Sequence, residues 1–174
     1  MGDPRKQRKK FSKPGHPWQK ERILAEKDIL KKYGFKRKNE IWKMDSMLRK
    51  FLGRAKTIIA QASAQSEIEK KQLLDRLHSL GLLKKDSRIE DVLNLTLENI
   101  LERRLQTLLC RKNFAATMSQ SRQFITHEHV AIGNKKITIP SYIVSISEEP
   151  NIKLVKAFNI KNTAQQNPAD AKQE

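Results

Sequence analysis

Along most of this chain the hydrophobic positions recur with the period of a helix, and over one short stretch with the period of a strand. From Trp18 through QKERILAEKDILKK, Ile23, Leu24 and Leu30 form a narrow apolar stripe, and Gly34 is a C-terminal stop with Lys31 and Lys32 in the last turn. A second helix is predicted after Asn39, an N-cap residue, where Ile41, Met44, Leu48, Phe51, Leu52, Ala55, Ile58 and Ile59 recur at three- and four-residue steps. At about 100° per residue these fall on one side. Lys43, Lys50 and Arg54 line up on another, and Arg49 and Lys56 widen that polar arc, so one face is core and the opposite face a cationic rail.

Two Ser-x-x-Glu capping boxes, Ser66 with Glu69 and Ser87 with Glu90, mark later starts. The first opens EIEKKQLLDRLHSLG, whose Leu73, Leu74, Leu77 and Leu80 face a core before Gly81 closes the helix. One continuous helix is expected after Thr96 through LENILERRLQTLLCR, with a stripe of Leu97, Ile100, Leu101, Leu105, Leu108 and Leu109. Arg104 and Arg111, seven apart, share the margin of that stripe, from which their guanidinium groups reach outward. Thr117 and Gln120 form another capping box, predicting a helix over about 118–127 that buries Phe124 and Ile125 and exposes Arg122 and Gln123. Then the period changes to 2. Val130 and Ile132 alternate with small or polar neighbours, Gly133-Asn134 is a hairpin-turn pair, Ile137 and Ile139 follow before Pro140, and residues 142–146 read as a third strand. The expected fold class is α+β, a mainly helical N-terminal region followed by a small helix-helix-hairpin unit.

Charge adds a partner class to this outline. Lys and Arg outnumber Asp and Glu by 36 to 19, a net +17 over 174 residues. A field of that sign attracts phosphate polyanions or anionic membrane, and solubility alone would not need the excess. Residues 1–56 carry 19 Lys and Arg against 6 Asp and Glu, so most of the excess lies in the N-terminal third. Its first part, GDPRKQRKKFSKPGHPW, sets Arg5, Lys6, Arg8, Lys9, Lys10 and Lys13 beside Pro14 and Pro17 with almost no apolar residues. It cannot build a core, and is expected to be an arm that orders only against a partner. The final NIKNTAQQNPADAKQE lacks periodicity and is expected to be a mobile tail. The expected organisation is a basic arm at 1–17, a helical region at 18–100, the helix-helix-hairpin unit at 101–158 and a tail at 159–174.

Candidate chemistry is sparse. Cys110 is the single cysteine, which excludes a disulfide framework and a cysteine zinc cluster and fits a reducing compartment; its leucine neighbours point to a buried structural thiol. No run of roughly 18 apolar residues and no apolar signal segment is present, so the expectation is an intracellular protein with no membrane partner. His127-Glu128-His129 raises a metal site, but three adjacent residues rarely converge on one ion and the other histidines, His16 and His78, are remote in sequence. What remains is a structural junction or contact with RNA by at least one of the two histidines. No glycine-rich phosphate loop occurs, and no catalytic group, metal or cofactor is expected. The basic sets are the specific signal: arm, rail, and Arg104, Arg111, Arg122, Lys135 and Lys136 recur in one chain. Duplex RNA offers phosphates, shape and 2′-hydroxyls, which suits an electropositive bend between a helix and a hairpin. Trp18, Trp42, Tyr33 and Phe11 interleave with the N-terminal cations, either stacking on unpaired bases or anchoring a small core.

These residues also resemble a known family. Leu101-Glu102-Arg103-Arg104-Leu105, Asn113-Phe114-Ala115-Ala116-Thr117, Arg122-Gln123-Phe124-Ile125-Thr126-His127, the VAIGN of 130–134 and Pro140-Ser141-Tyr142 are similar to the RNA-binding module named after the fourth ribosomal protein of the small subunit. That module is shared with some RNA-modifying enzymes and a class of tyrosyl-tRNA synthetases. GDPRKQRKKFSKPGHPW followed by LKKYGFKRKNEIWKMDSMLRKFLGRAK resembles the archaeal and eukaryotic type of the ribosomal protein itself. The resemblance implies a non-enzymatic constituent of the cytoplasmic ribosome. It would be a primary binder of small-subunit rRNA that nucleates assembly of the subunit body, lies near where mRNA enters, and supports accuracy with a neighbouring protein of the fifth family. Carried over by position, Arg104, Arg111, Arg122, Gln123 and His127 would face RNA, while His129 has no counterpart. With Arg5, Lys9, Lys10 and Lys13 of the arm, Lys43, Lys50 and Arg54 of the rail, and Lys135 and Lys136 of the hairpin, they make up the expected interface. Two departures stand out: the family often has Arg-Leu-Asp at Arg104-Leu105-Gln106, and Val-Asn-Gly at Ile132-Gly133-Asn134. The alternative readings are an RNA-modifying enzyme or ribosome-rescue factor carrying the module, and a DNA binder with equal affinity for duplex DNA and structured RNA.

Overall fold

The computed structural model describes residues 11–61 and 63–155. Arg5, Lys9, Lys10 and the expected C-terminal tail lie outside them. The chain divides into two compact units, one ending at Arg103 and the other beginning at Arg104.

In the first unit, α1 (Lys20–Tyr33), α2 (Lys38–Ala60), α3 (Ala64–Ser79), a 3-10 turn (Ile89–Asn94) and α4 (Leu97–Glu102) follow in order. Packing centres on α2, which meets α1, α3, the 3-10 turn and α4. Its buried face holds Ile41, Met44, Leu48, Phe51, Ala55 and Ile58, as the helical period requires, while Ile59 stays outside. The helix starts at Lys38, so Arg37 and not Asn39 is the N-cap. The apolar stripe expected on α1 is only partly used: Leu24 is exposed and Glu26 is buried. Trp42 Nε1 donates to Glu26 Oε1 at 3.0 Å, Arg22 pairs with the same oxygen, and Lys38 Nζ lies 3.3 Å from Oε2. Too few apolar residues leave α1 to dock through this ion-pair hub. Burial would raise the Glu26 carboxyl, but the hydrogen bonds from Trp42, Arg22 and Lys38 outweigh it and hold the group below its ordinary value. Residues 11–17, the described part of the expected arm, lie against the helices. The Ser12 amide donates to Ser46 Oγ at 3.1 Å, Phe11 packs on Trp42, and Arg22 Nη2 donates to the carbonyls of His16 and Pro17.

α3 begins a turn earlier than its sequence signal. Ser63 is the N-cap, exchanging hydrogen bonds with Ser66, so a serine rather than a glutamate reciprocates and Ser66 to Glu69 lies inside the helix. The Ser87 to Glu90 box is likewise displaced by one residue: the Arg88 amide donates to Asp91 Oδ2 at 2.8 Å. Gly81, at φ 72°, ends α3 with the Leu82 amide donating to Leu77 O and the Gly81 amide to His78 O. The positive φ is what calls for glycine; a Cβ there would also lie 2.8 Å from the tip of the Arg103 side chain, which donates to Leu80 O and would have to shift.

The continuous helix expected across 97–111 is broken. Arg104 adopts an extended conformation, bridges Ile143, and hands the Leu105 amide to Tyr142 O at 2.8 Å in place of a helical partner. The second unit then runs α5 (Leu105–Arg111), α6 (Met118–Thr126), β1 (Val130–Ile132), β2 (Lys135–Lys136) and β3 (Ile152–Leu154). Thr117 caps α6 as expected, although Gln120 turns its Oε1 to the Ala116 amide. The sheet order is β2-β1-β3, all antiparallel, with Ile132 opposite Lys135 across the Gly133-Asn134 turn and Ile132 opposite Ile152 on the other side. The third strand is therefore at 152–154 and not at 142–146. The earlier segment is curled instead: Tyr142 Oη donates to Glu148 Oε1 at 2.8 Å and the Ser145 amide to Oε2 at 3.1 Å. Val144 still reaches the core, beside Leu105, Leu109, Phe124, Ile125, Val130 and Ile152.

Candidate nucleic-acid interface

In the first unit the cationic rail forms as the spacing on α2 dictates. Lys43, Lys50 and Arg54 are all exposed. α3 supplies a fourth cation, Arg76, which the sequence reading missed. Arg76 precedes the buried Leu77, so it sits at the margin of the packed face where α3 meets α2, a placement legible only once that pairing is known. Lys50, Arg54 and Arg76, with Gly53, Gln65 and Gln72, line an open recess of about 800 Å³ whose one acidic wall residue is Glu69. Lys43 and Met47 join Lys50, Arg54 and Arg76 around a neighbouring recess of about 280 Å³. Arg49 points its charge at Asp45, 2.7 Å away, and contributes less to this field. Lys13 is exposed on the docked 11–17 segment. Of the four aromatic residues, Tyr33 is buried and Trp42 and Phe11 pack together, whereas Trp18 is 90% exposed.

In the second unit Arg104 corrects the expectation. Its side chain is only 1% exposed, and Nη2 lies 3.5 Å from Pro140 O. A guanidinium this buried does not offer a surface cation. The remaining expected residues stay near the surface. Arg111 ends α5 exposed, Arg122 is half-buried on α6, and Lys135 and Lys136 are exposed on β2. Lys112 is tied down, donating to Glu149 O at 2.9 Å with Oε1 3.4 Å away.

α6 ends in a conformation that places two histidines side by side. The His129 amide donates to Phe124 O and the Glu128 amide to Ile125 O, with Glu128 at φ 60°. This is the same terminal motif as at Gly81, built here on a residue that pays steric strain for it. His127 is the exposed C-cap, its ring stacked 6.2 Å from that of His129 at 22°, and His129 meets Phe124 edge-on. Gln120, Gln123, Phe124 and the two histidines surround a recess of about 240 Å³. Gln123 and His127 are thus brought together, and His129, which has no counterpart in the resemblance, is added to them. Among the described residues no three His, Cys, Asp or Glu side chains gather as a metal site. Cys110 is half-buried, and burial pushes its thiol up against the opposing pull of Arg111. No described helix is long and apolar enough to cross a membrane.

Exposed cations on helix faces, a helix-to-hairpin bend and a small antiparallel sheet are the features of an α+β protein suited to a polyanionic partner, and residues 103–149 match the family model for the S4 domain. Small ribosomal subunit protein uS4 of Methanococcus aeolicus is 51% identical over 153 residues, 87% of this chain and 86% of its own length. The protein of the same description from Saccharolobus solfataricus is 47% identical over 150 residues, 86% of this chain and 83% of its own. The chain belongs to the small ribosomal subunit protein uS4 family.

Proposed function

We propose that this chain is a structural constituent of the small ribosomal subunit, bound to its rRNA in the cytoplasm. The observation that carries the reading is likeness to uS4 proteins over 86–87% of the chain, spanning both the S4 domain and the cationic helical unit before it. The +17 charge supports a polyanionic partner, and the Lys50, Arg54 and Arg76 recess supplies a surface for its phosphates. On this reading the protein is a primary rRNA binder that nucleates assembly of the subunit body. It adjoins the fifth-family protein, lies where mRNA enters and supports accuracy. Arg111, Arg122, Gln123, His127, Lys135 and Lys136 contact RNA from the second unit, and Lys43, Lys50, Arg54 and Lys13 from the first, with Arg5, Lys9 and Lys10 adding phosphate contacts.

Filter binding to small-subunit rRNA, a duplex DNA of equal length and an unrelated structured RNA, across a range of salt, tests this. Preference for the rRNA that persists at physiological salt is expected. Equal affinity for the DNA would replace the reading with a general polyanion binder.

A further inference from the structure

The recess at the end of α6 differs in chemistry from the cationic surfaces. Its lining carries no Lys or Arg. It offers a flat face, the stacked imidazoles of His127 and His129, and a polar edge. The Gln123 side chain makes no hydrogen bond among the described residues, leaving both an amide donor and an amide acceptor open. Gln120 spends its Oε1 on the Ala116 amide, which turns its NH₂ to other use. The strained Glu128 conformation holds the two rings in register, since it sets how the chain leaves α6.

A face to stack on beside a paired donor and acceptor is the recognition chemistry of an unpaired nucleobase, and a glutamine amide matches the N6 and N7 edge of adenine. A phosphate would find no Lys or Arg here. Resting on the rRNA-binding reading above, we propose that this recess receives a single extruded nucleobase, adenine by preference, stacked on His127 and read by Gln123. The second unit then grips RNA in two ways, through backbone charge at Arg111, Lys135 and Lys136 and through one base at the α6 terminus.

The test compares a hexamer of adenylate with a hexamer of abasic ribose phosphate, equal in charge, against the full chain at fixed salt. Binding is measured by fluorescence anisotropy for the wild type and for Gln123→Ala, His127→Ala and His127→Phe. The wild type should favour the adenylate by roughly fivefold to a hundredfold, the range set by one base stacked on a ring. His127→Ala should abolish that preference, Gln123→Ala should reduce it, and His127→Phe, which keeps the ring, should retain it. Both positions are exposed, so folding should be unaffected, which thermal unfolding checks. A preference unchanged in His127→Ala and Gln123→Ala would overturn the proposal, as would equal binding of the two hexamers; either leaves the wider RNA reading intact. Failure of both hexamers to bind at low salt would remove both.

Discussion

The recess between α2 and α3 sets a value on its own cations. Lys50, Arg54 and Arg76 line it together, are solvent-exposed, and form no ion pair among the described residues. If each neutralises one rRNA phosphate, changing all three to Gln lowers the slope of log affinity against log salt by about 0.7–0.9 per contact, roughly two to three in total. Counterion release of that size is worth roughly four- to fivefold per contact at about 0.15 M salt, so the triple variant should bind on the order of a hundredfold more weakly. Because the side chains are exposed, unfolding free energy should move by no more than about 0.5 kcal/mol. The assay is filter binding at five or more salt concentrations, with urea unfolding on the same samples. A slope unchanged in a fully folded variant would show that RNA does not enter this recess and would refute the reasoning.

Arg104→Ala should destabilise the protein by about 2–4 kcal/mol, the cost of emptying a buried charged site at the helix break; hydrogen exchange of α5 and β1 reads this, and a variant as stable as wild type would show that the buried guanidinium contributes no net stability. Glu128→Gly should stabilise the protein by about 0.5–1 kcal/mol in thermal unfolding, since glycine takes positive φ without Cβ strain. Glu26 has a depressed folded-state value, so its contribution is present above the ordinary glutamate range and is lost as pH falls through the folded one. Glu26→Gln should therefore be less stable than wild type at neutral pH and close to it in strong acid; parallel stability curves would show that the hub carries no pH-dependent energy.

How much of this was legible in the sequence depended on how local the cause was. The α2 face, the Thr117 cap and the Gly133-Asn134 turn follow from periodicity or from groups a few residues apart, and the structure places them where they were expected. The break at Arg103-Arg104 was hidden because Leu101, Leu105 and Leu108 keep a perfect helical stripe across it. What breaks the helix is Tyr142 O, nearly forty residues on, taking the Leu105 amide. The misplaced third strand has the same origin, since alternation at 142–146 cannot reveal that Glu148 curls the segment away. Arg76 reaches the α2–α3 recess through the pairing of those helices, and His129 comes beside His127 through a left-handed Glu128. No residue preference announces a glutamate in that conformation.

The most direct measurement is sedimentation of a cell extract on sucrose gradients at moderate and high salt, with the protein followed quantitatively by mass spectrometry. A constituent of the small subunit should co-migrate with it at one copy per particle and remain there at high salt. A signal well below one copy, or one released by salt to the top of the gradient, would contradict that and would mark a factor that visits the ribosome.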